Sequence, residues 1–362
     1  MERRSFLKKA SLGAAATATA ASGTSALAAD GPSVRWRLTS SFPKSLDALW
    51  GAAPQLAKRV SELTGGKFDI RPFAAGEIVP GLQVLDAVQR GTVECGHTAG
   101  YYYVGKDAAF AFEAGLPFGL TARQQNAWLY HGGGLQMTRE FLKDYNIINF
   151  PGGNTGTQMG GWWRKEVKNL NDLKGLKVRI PGFGGKIMAA LGAVPQTIAG
   201  GDIYPALEKG TIDAAEWVGP YDDEKLGFQK VAKFYYYPGF WEPGPSLSFY
   251  VNLDAWSKLP KSYQAALEVA AAEVNITMTA EYDAKNPAAL NRLIQSGAQL
   301  RIYPRDILDA AYKEAEKLYA DESKNNPKFK KIFTSWNRFR NDQNNWFRVA
   351  ENSMASYLPR SK

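Results

Sequence analysis

Gly201-Asp202-Ile203-Tyr204-Pro205-Ala206-Leu207-Glu208-Lys209-Gly210-Thr211-Ile212-Asp213 echoes an earlier pattern: Gly76-Glu77-Ile78-Val79-Pro80, then Asp86-Ala87-Val88-Gln89-Arg90-Gly91-Thr92-Val93-Glu94. The later copy is six residues shorter between the proline and the glycine, since Pro80 to Gly91 is eleven steps and Pro205 to Gly210 is five. In both, a helically spaced run ends at a glycine and passes into a β-branched run. An internal echo of this form predicts two similar lobes, each holding a helix, a glycine turn and a strand.

Reading outward, Val34-Arg35-Trp36-Arg37-Leu38-Thr39 alternates apolar and polar side chains as a half-buried strand does, and Asp47 to Leu63 takes helical spacing up to Gly65-Gly66. Phe68 to Pro72 reads as a second strand, Leu82 to Arg90 as a helix ended by Gly91, and Thr92 to His97 as a third strand. Strand, helix and strand in alternation predict parallel βα units in open sheets, an α/β class. From Lys261, apolar residues Tyr263, Leu267, Ala270, Val274, Met278 and Tyr282 recur every three to four positions, which predicts one long helix that Pro287 interrupts or bends. Helices follow over Asp306 to Asn325 and Lys328 to Tyr357, the last rich in Trp336, Phe339, Trp346 and Phe347 and expected to pack onto the body of the protein.

The first residues read as an address. Glu2-Arg3-Arg4-Ser5-Phe6-Leu7-Lys8 pairs two arginines with an aromatic and a leucine, a mild apolar run extends from Ala10 to Leu27, and Ala26-Leu27-Ala28 supplies small residues for cleavage. Residues 1–28 are therefore expected to be a twin-arginine signal peptide, leaving about 330 residues, enough for two domains. The remainder holds no apolar stretch near the ~20 residues of a membrane-spanning helix, so a soluble protein outside the cytoplasm is expected. The lone cysteine, Cys95, has no partner for an internal disulfide and reads as a small buried apolar residue. The formal charge is +9, of which Arg3, Arg4, Lys8 and Lys9 against Glu2 account for +3, leaving +6 on the remainder. That balance suits an anionic ligand. The Lys and Arg residues are dispersed among acids, a pattern that argues against nucleic-acid binding.

Enzyme chemistry finds little material. His97 and His131 are the only histidines, which excludes a histidine-rich metal site. His131-Gly132-Gly133-Gly134 resembles a lipase oxyanion loop, but no G-x-S-x-G elbow accompanies it, so it reads as a helix-ending turn. Gly184-Gly185-Lys186 fails as a phosphate loop because Ile187 stands where Ser or Thr is required. What remains suits a carboxylate. Arg179, inside the apolar strand Lys177-Val178-Arg179-Ile180-Pro181, needs a partner, either a ligand carboxylate gripped by both arms of its fork or an internal acid. Glu216, in a strand over Ile212 to Val218, and Glu242, after Trp241, are acids beside large aromatics. With the Gln158 amide and backbone carbonyls they would make an all-oxygen cation site; alternatively they are separate ion-paired acids. Tyr101, Tyr102 and Tyr103 follow the third strand, where open α/β sheets place their ligand crevice, and would either bond a ligand oxygen or simply pack.

The chain resembles the solute-binding subunit of tripartite ATP-independent periplasmic (TRAP) transporters, most nearly their 2-oxoacid-binding branch. The resemblance is carried over the whole mature chain by Ser40-Ser41-Phe42-Pro43-Lys44-Ser45, Ala75-Gly76-Glu77, Gly100-Tyr101-Tyr102-Tyr103, Phe150-Pro151-Gly152-Gly153-Asn154-Thr155-Gly156, Leu176-Lys177-Val178-Arg179, Ile198-Ala199-Gly200 running into the repeat quoted first, and Glu216-Trp217-Val218-Gly219-Pro220-Tyr221-Asp222-Asp223. It implies a two-lobed periplasmic binding protein fold, with lobes over 30–156 plus 245–284 and 157–244 plus 285–362, a long bracing helix and a helical C-terminal tail. It implies a small 2-oxo or 2-hydroxy monocarboxylate such as pyruvate or lactate, held by Arg179 with Gln158, Tyr101 and Tyr102. A cation, Na+ or alternatively Ca2+, would be held by Gln158, Glu216, the Trp217 carbonyl and Glu242. TRAP membrane subunits are the implied partners, and a homodimer through an exchanged terminal helix is allowed. A secreted hydrolase or lyase using Glu216 and Glu242 as acid and base is the competing expectation.

Overall fold

A computed structural model describes residues 31–358, so the signal assigned to residues 1–28 lies outside the described residues. In chain order the strands are β1 (Val34–Ser40), β2 (Phe68–Phe73), β3 (Cys95–Thr98), β4 (Ile147–Asn154), β5 (Trp162–Trp163), β6 (Lys177–Arg179), β7 (Val194–Gln196), β8 (Ala214–Ala215), β9 (Phe234–Tyr237), β10 (Ser246–Asn252) and β11 (Gln299–Ile302). They form two sheets, β2-β1-β3-β10-β4 and β11-β9-β5-β8-β6-β7. In the first, β1 pairs in parallel with β2 and β3, and β10 runs antiparallel to β3 and β4. In the second, β6 pairs in parallel with β7 and β8, and β5 runs antiparallel to β8 and β9. Order and sense therefore occur twice, with β11 added beside β9. β5 follows a first-sheet strand and β10 follows a second-sheet strand, so two strand-to-strand segments cross between the lobes, and the long helix between β10 and β11 makes a third crossing.

The echoed turns are the same turn. Gly91 and Gly210 both take left-handed φ, +70° and +73°. The Thr92 amide reaches the Ala87 carbonyl at 2.9 Å, and the Thr211 amide reaches that of Ala206 at 2.9 Å. This turn takes up residues 92–94, so the third strand begins at Cys95 rather than at Thr92. A Cβ on Gly91 would meet nothing nearer than Asn252 Nδ2 at 3.9 Å. Gly91→Ala should accordingly cost only the left-handed backbone penalty, about 1–2 kcal/mol, and Gly91→Asn less, in the midpoint of denaturant unfolding.

The long helix runs Lys261–Gln295 without interruption, passing through Pro287. A proline inside a helix loses one hydrogen bond and crowds the preceding turn. Burial on either side holds the helix here, with Tyr282 and Ala289 fully enclosed and Leu293 almost so. It packs on helix Asp47–Leu63 and β4 in the first lobe and on helix Pro220–Leu226 in the second. Its side chains make that brace specific: Asn275 Oδ1 accepts from the Gly153 amide at 3.3 Å, Tyr282 donates to Asp222 at 2.8 Å, and Asn286 Oδ1 accepts from the Tyr221 amide at 3.0 Å.

At the C-terminus, helix Arg305–Asn325 rests on helix Gly182–Ala190 of the second lobe, and helix Pro327–Val349 lies against helices Ala122–His131 and Gly134–Leu142 of the first. The single terminal helix expected to Tyr357 is instead broken at Ala350, and Glu351–Tyr357 forms a separate piece. Buried packing on the body ends at Arg340; beyond it Trp346, Val349, Met354, Tyr357 and Leu358 are exposed, and Arg123, which lies over Phe347 at 5.3 Å and pairs with Glu351, holds the tail at the surface.

Candidate functional site

Parallel strands of an open α/β sheet deliver their ligand contacts at their carboxyl ends, and the predicted residues gather there. Arg179 is the last residue of β6, with only 1 % of its surface exposed. Glu216 follows β8 directly. The strand expected over Ile212 to Val218 shrinks to Ala214–Ala215, because the chain leaves the sheet at Glu216 to bring Glu216 and Trp217 into the crevice. Tyr101 and Tyr102 follow β3, in the short turn Gly100–Tyr103, against which helix Gly182–Ala190 of the other lobe packs. Phe42, Leu49, Tyr101, Tyr102, Thr155, Arg179, Trp217, Val218 and Leu247 enclose a cavity of about 10 Å³, so both lobes contribute to its wall.

Arg179 is fixed by three acceptors. Nε donates to the Ile198 carbonyl at 3.0 Å, Nη1 donates to the Glu216 carbonyl at 2.9 Å, and Nη1 also pairs with Glu216 Oε1. Its guanidinium lies over the Trp217 ring, 4.9 Å from the centroid. Both sequence readings of Arg179 thus bear on it, since an internal acid does sit on the fork. Burial works against its charge, but Glu216 together with Tyr102, Tyr101 and Glu242 outweighs this and raises its pKa.

The remaining groups come from the two crossing segments. The Gln158 amide donates to the Glu242 carbonyl at 3.1 Å and the Gly239 amide donates to the Gln158 carbonyl at 3.0 Å, so these segments run side by side. Gln158 Nε2 donates to Thr155 Oγ1 at 3.2 Å, which turns its oxygen the other way. Gln158 Oε1, Glu216 Oε2 and Glu242 Oε2 are all buried, and none has a hydrogen-bond partner. The Trp217 carbonyl likewise accepts no hydrogen bond among the described residues. Burial pushes the carboxyl pKa of Glu216 and Glu242 up, and that of Glu242 is raised further by the charge of Glu216, while Arg179 pulls the other way.

Unsatisfied buried oxygens are costly, and a buried carboxylate that feels the charge of another more so. Oxygens of two carboxylates, an amide and a carbonyl are the donor set that hard cations such as Na+ and Ca2+ take. The residues therefore fit a cation, which would supply the missing positive charge. Burial also keeps both tyrosines protonated, Tyr102 with its pKa pushed up to about 12 and Tyr101 well above its ordinary value, so each hydroxyl can donate to an anion.

Sequence reasoning missed the Ile198 carbonyl that anchors Arg179 and the Thr155 hydroxyl that orients Gln158. Both lie in segments that carried the family resemblance, but neither residue type announces an anchoring role. It also missed the apolar wall of Leu49, Val218 and Leu247. On the rim, Tyr221 of the second lobe donates to Asp47 of the first at 2.7 Å, and Lys225 pairs with the same carboxylate.

Residues 39–325 match the family model described as bacterial extracellular solute-binding protein, family 7. The chain is 52% identical to the monocarboxylate 2-oxoacid-binding periplasmic protein of a Nostoc species, over 100% of both chains. A TRAP transporter solute-binding protein from Bordetella bronchiseptica, a mixed-occupancy dimer with copurified calcium and picolinate, superposes with a TM-score of 0.89. It is 55% identical over 90% of this chain and 97% of that one. A TRAP periplasmic solute-binding protein from Pseudoalteromonas atlantica, with bound sodium and pyruvate, gives a TM-score of 0.88 at 37% identity, covering 90% of this chain and 99% of that one.

Proposed function

The chain belongs to the bacterial extracellular solute-binding protein family 7, and we propose that it captures a small 2-oxo or 2-hydroxy monocarboxylate such as pyruvate, together with a cation, for delivery to TRAP membrane subunits. It is a periplasmic receptor of a transporter and not an enzyme. The observation that carries the ligand reading is the juxtaposition of one buried arginine with three buried, unbonded oxygens on Gln158, Glu216 and Glu242. The Pseudoalteromonas atlantica relative, with sodium and pyruvate bound, and the Bordetella bronchiseptica relative, with calcium and picolinate, support both halves of it.

In this reading residues 30–156 plus 245–284 form the lobe that brings Tyr101 and Tyr102, and residues 157–244 plus 285–362 the lobe that brings Arg179, Glu216, Trp217 and Glu242. Arg179 binds the ligand's carboxylate, with Tyr101 and Tyr102 donating to its oxygens. Gln158, Glu216, Glu242 and the Trp217 carbonyl hold the cation, which supplies positive charge between the two glutamates and the ligand. Phe42, Leu49, Val218 and Leu247 present an apolar wall suited to a short aliphatic tail and offer no second cation for a dicarboxylate. The exposed apolar end of the chain, Trp346 to Leu358, supports a homodimer in which a second copy covers it.

The test is calorimetric titration of the metal-stripped protein with pyruvate, 2-oxobutyrate, lactate and succinate, with and without Na+ or Ca2+. The cation should tighten monocarboxylate binding by on the order of 10- to 100-fold, and succinate should bind more weakly in either condition. Equal affinities with and without cation would overturn the cation reading, and preferential binding of succinate the ligand reading.

A further inference from the structure

Glu216 has two incompatible duties. Oε1 pairs with Arg179, whereas Oε2 belongs with the unbonded oxygens of Gln158 and Glu242. The cavity beside this pair is about 10 Å³, space for about one water. A three-carbon acid therefore does not fit while the pair stands as it is. A carboxylate gripped by both terminal nitrogens of the fork needs Nη1, which the Glu216 carboxylate holds.

We propose that Glu216 is the positioning residue that gates the ligand site: its carboxylate occupies Arg179 until a cation is present, and turning to the cation frees Arg179 for the ligand. This rests on the ligand and cation reading above and adds an order to it. If the ligand displaced Glu216 first, two buried carboxylates, Glu216 and Glu242, would face one another without a counter-charge, the costlier state. If Glu216 turns first, Arg179 still donates to the Ile198 carbonyl at 3.0 Å and the Glu216 carbonyl at 2.9 Å, and still lies over Trp217. The second state is the better compensated, so the cation is expected to bind before the carboxylate. Neither partner alone satisfies the site, because one leaves an unpaired guanidinium and the other leaves unpaired carboxylates. Cooperativity between them follows from the exchange of a single carboxylate.

Two measurements test the gate. The first is stopped-flow tryptophan fluorescence on the wild-type protein, which Trp217 under the guanidinium should report. Protein preloaded with Ca2+ or Na+ should bind pyruvate without delay. Metal-stripped protein mixed with both together should show a lag that shortens as cation is raised and is unaffected by preincubation with pyruvate. The second is pyruvate affinity without cation in Glu216→Gln, whose neutral amide holds Arg179 less firmly. That affinity should rise at least about 10-fold over the wild type measured likewise, and the enhancement by cation should shrink to about 3-fold or less. No gain in the variant, or a lag abolished by pyruvate preincubation, overturns the gate. Should Glu216→Gln fail to fold by circular dichroism, the mixing order in the wild type decides alone. A wild-type protein that binds no 2-oxo monocarboxylate even at saturating cation overturns the ligand reading instead, a result separable from both.

Discussion

Arg179→Ala is expected to weaken pyruvate binding by about 100- to 1000-fold at saturating cation, because it removes the one buried positive charge aimed at the ligand. Truncation takes away charge-assisted hydrogen bonds whose partner carboxylate must still give up its water on entering the crevice. The same change should lower stability by about 3–5 kcal/mol, since Glu216 would lose its counter-ion while remaining buried beside Glu242. These two effects separate by design. Adding Glu216→Gln to Arg179→Ala removes the stranded charge and should restore most of the unfolding free energy without restoring binding. Arg179→Lys keeps a charge but loses the fork that reaches Ile198 and Glu216 together, so an intermediate loss is expected. Calorimetry at saturating cation, paired with guanidinium unfolding of each variant, reads both quantities. Unchanged pyruvate affinity in Arg179→Ala would dismiss Arg179 as the carboxylate anchor.

The architecture was legible because it is written in local patterns. Two helix-glycine-strand units of like sequence became two sheets of like order, and the spacing from Lys261 became the helix that spans both lobes. Where the reading departed from the structure, a distant contact decided the matter. Pro287 did not interrupt the expected helix, because burial of Tyr282, Ala289 and Leu293 outweighs the lost hydrogen bond. The strand expected over Ile212 to Val218 ended after Ala215, since nothing in an apolar run marks where the chain must leave a sheet to present Glu216. In the site, residue types suggested an arginine for a carboxylate and oxygens for a cation. That Arg179 and Glu216 hold one another, and that Oε2 of Glu216 is left over, depends on which strand ends lie side by side. Spacing along the chain carries no such information.

Trp336→Ala is the substitution expected to cost most in the fold itself, about 3–5 kcal/mol in guanidinium unfolding. Trp336 has none of its surface exposed and stands where the C-terminal helices tie the lobes together. Its ring lies 6.2 Å from that of Phe112 in the first lobe and 6.0 Å from that of Phe333, and Arg340 covers it at 5.2 Å. Through Phe329, whose ring is 4.8 Å from Phe112 and 5.8 Å from Phe183, the same cluster reaches the second lobe. Tyr319 completes the tie by donating to the Pro117 carbonyl at 2.6 Å. Emptying so large a volume inside this close-packed aromatic cluster leaves little that can collapse into it. Trp346, ten residues further along the same helix and 56 % exposed, provides the contrast. In a monomer its truncation should change stability by no more than about 0.5 kcal/mol. A larger loss at Trp346 that shrinks as the protein is diluted toward the monomer would instead place that surface in a contact between two copies, because only an association equilibrium ties stability to concentration. The Trp336 effect should be independent of concentration, since its neighbours all belong to its own chain.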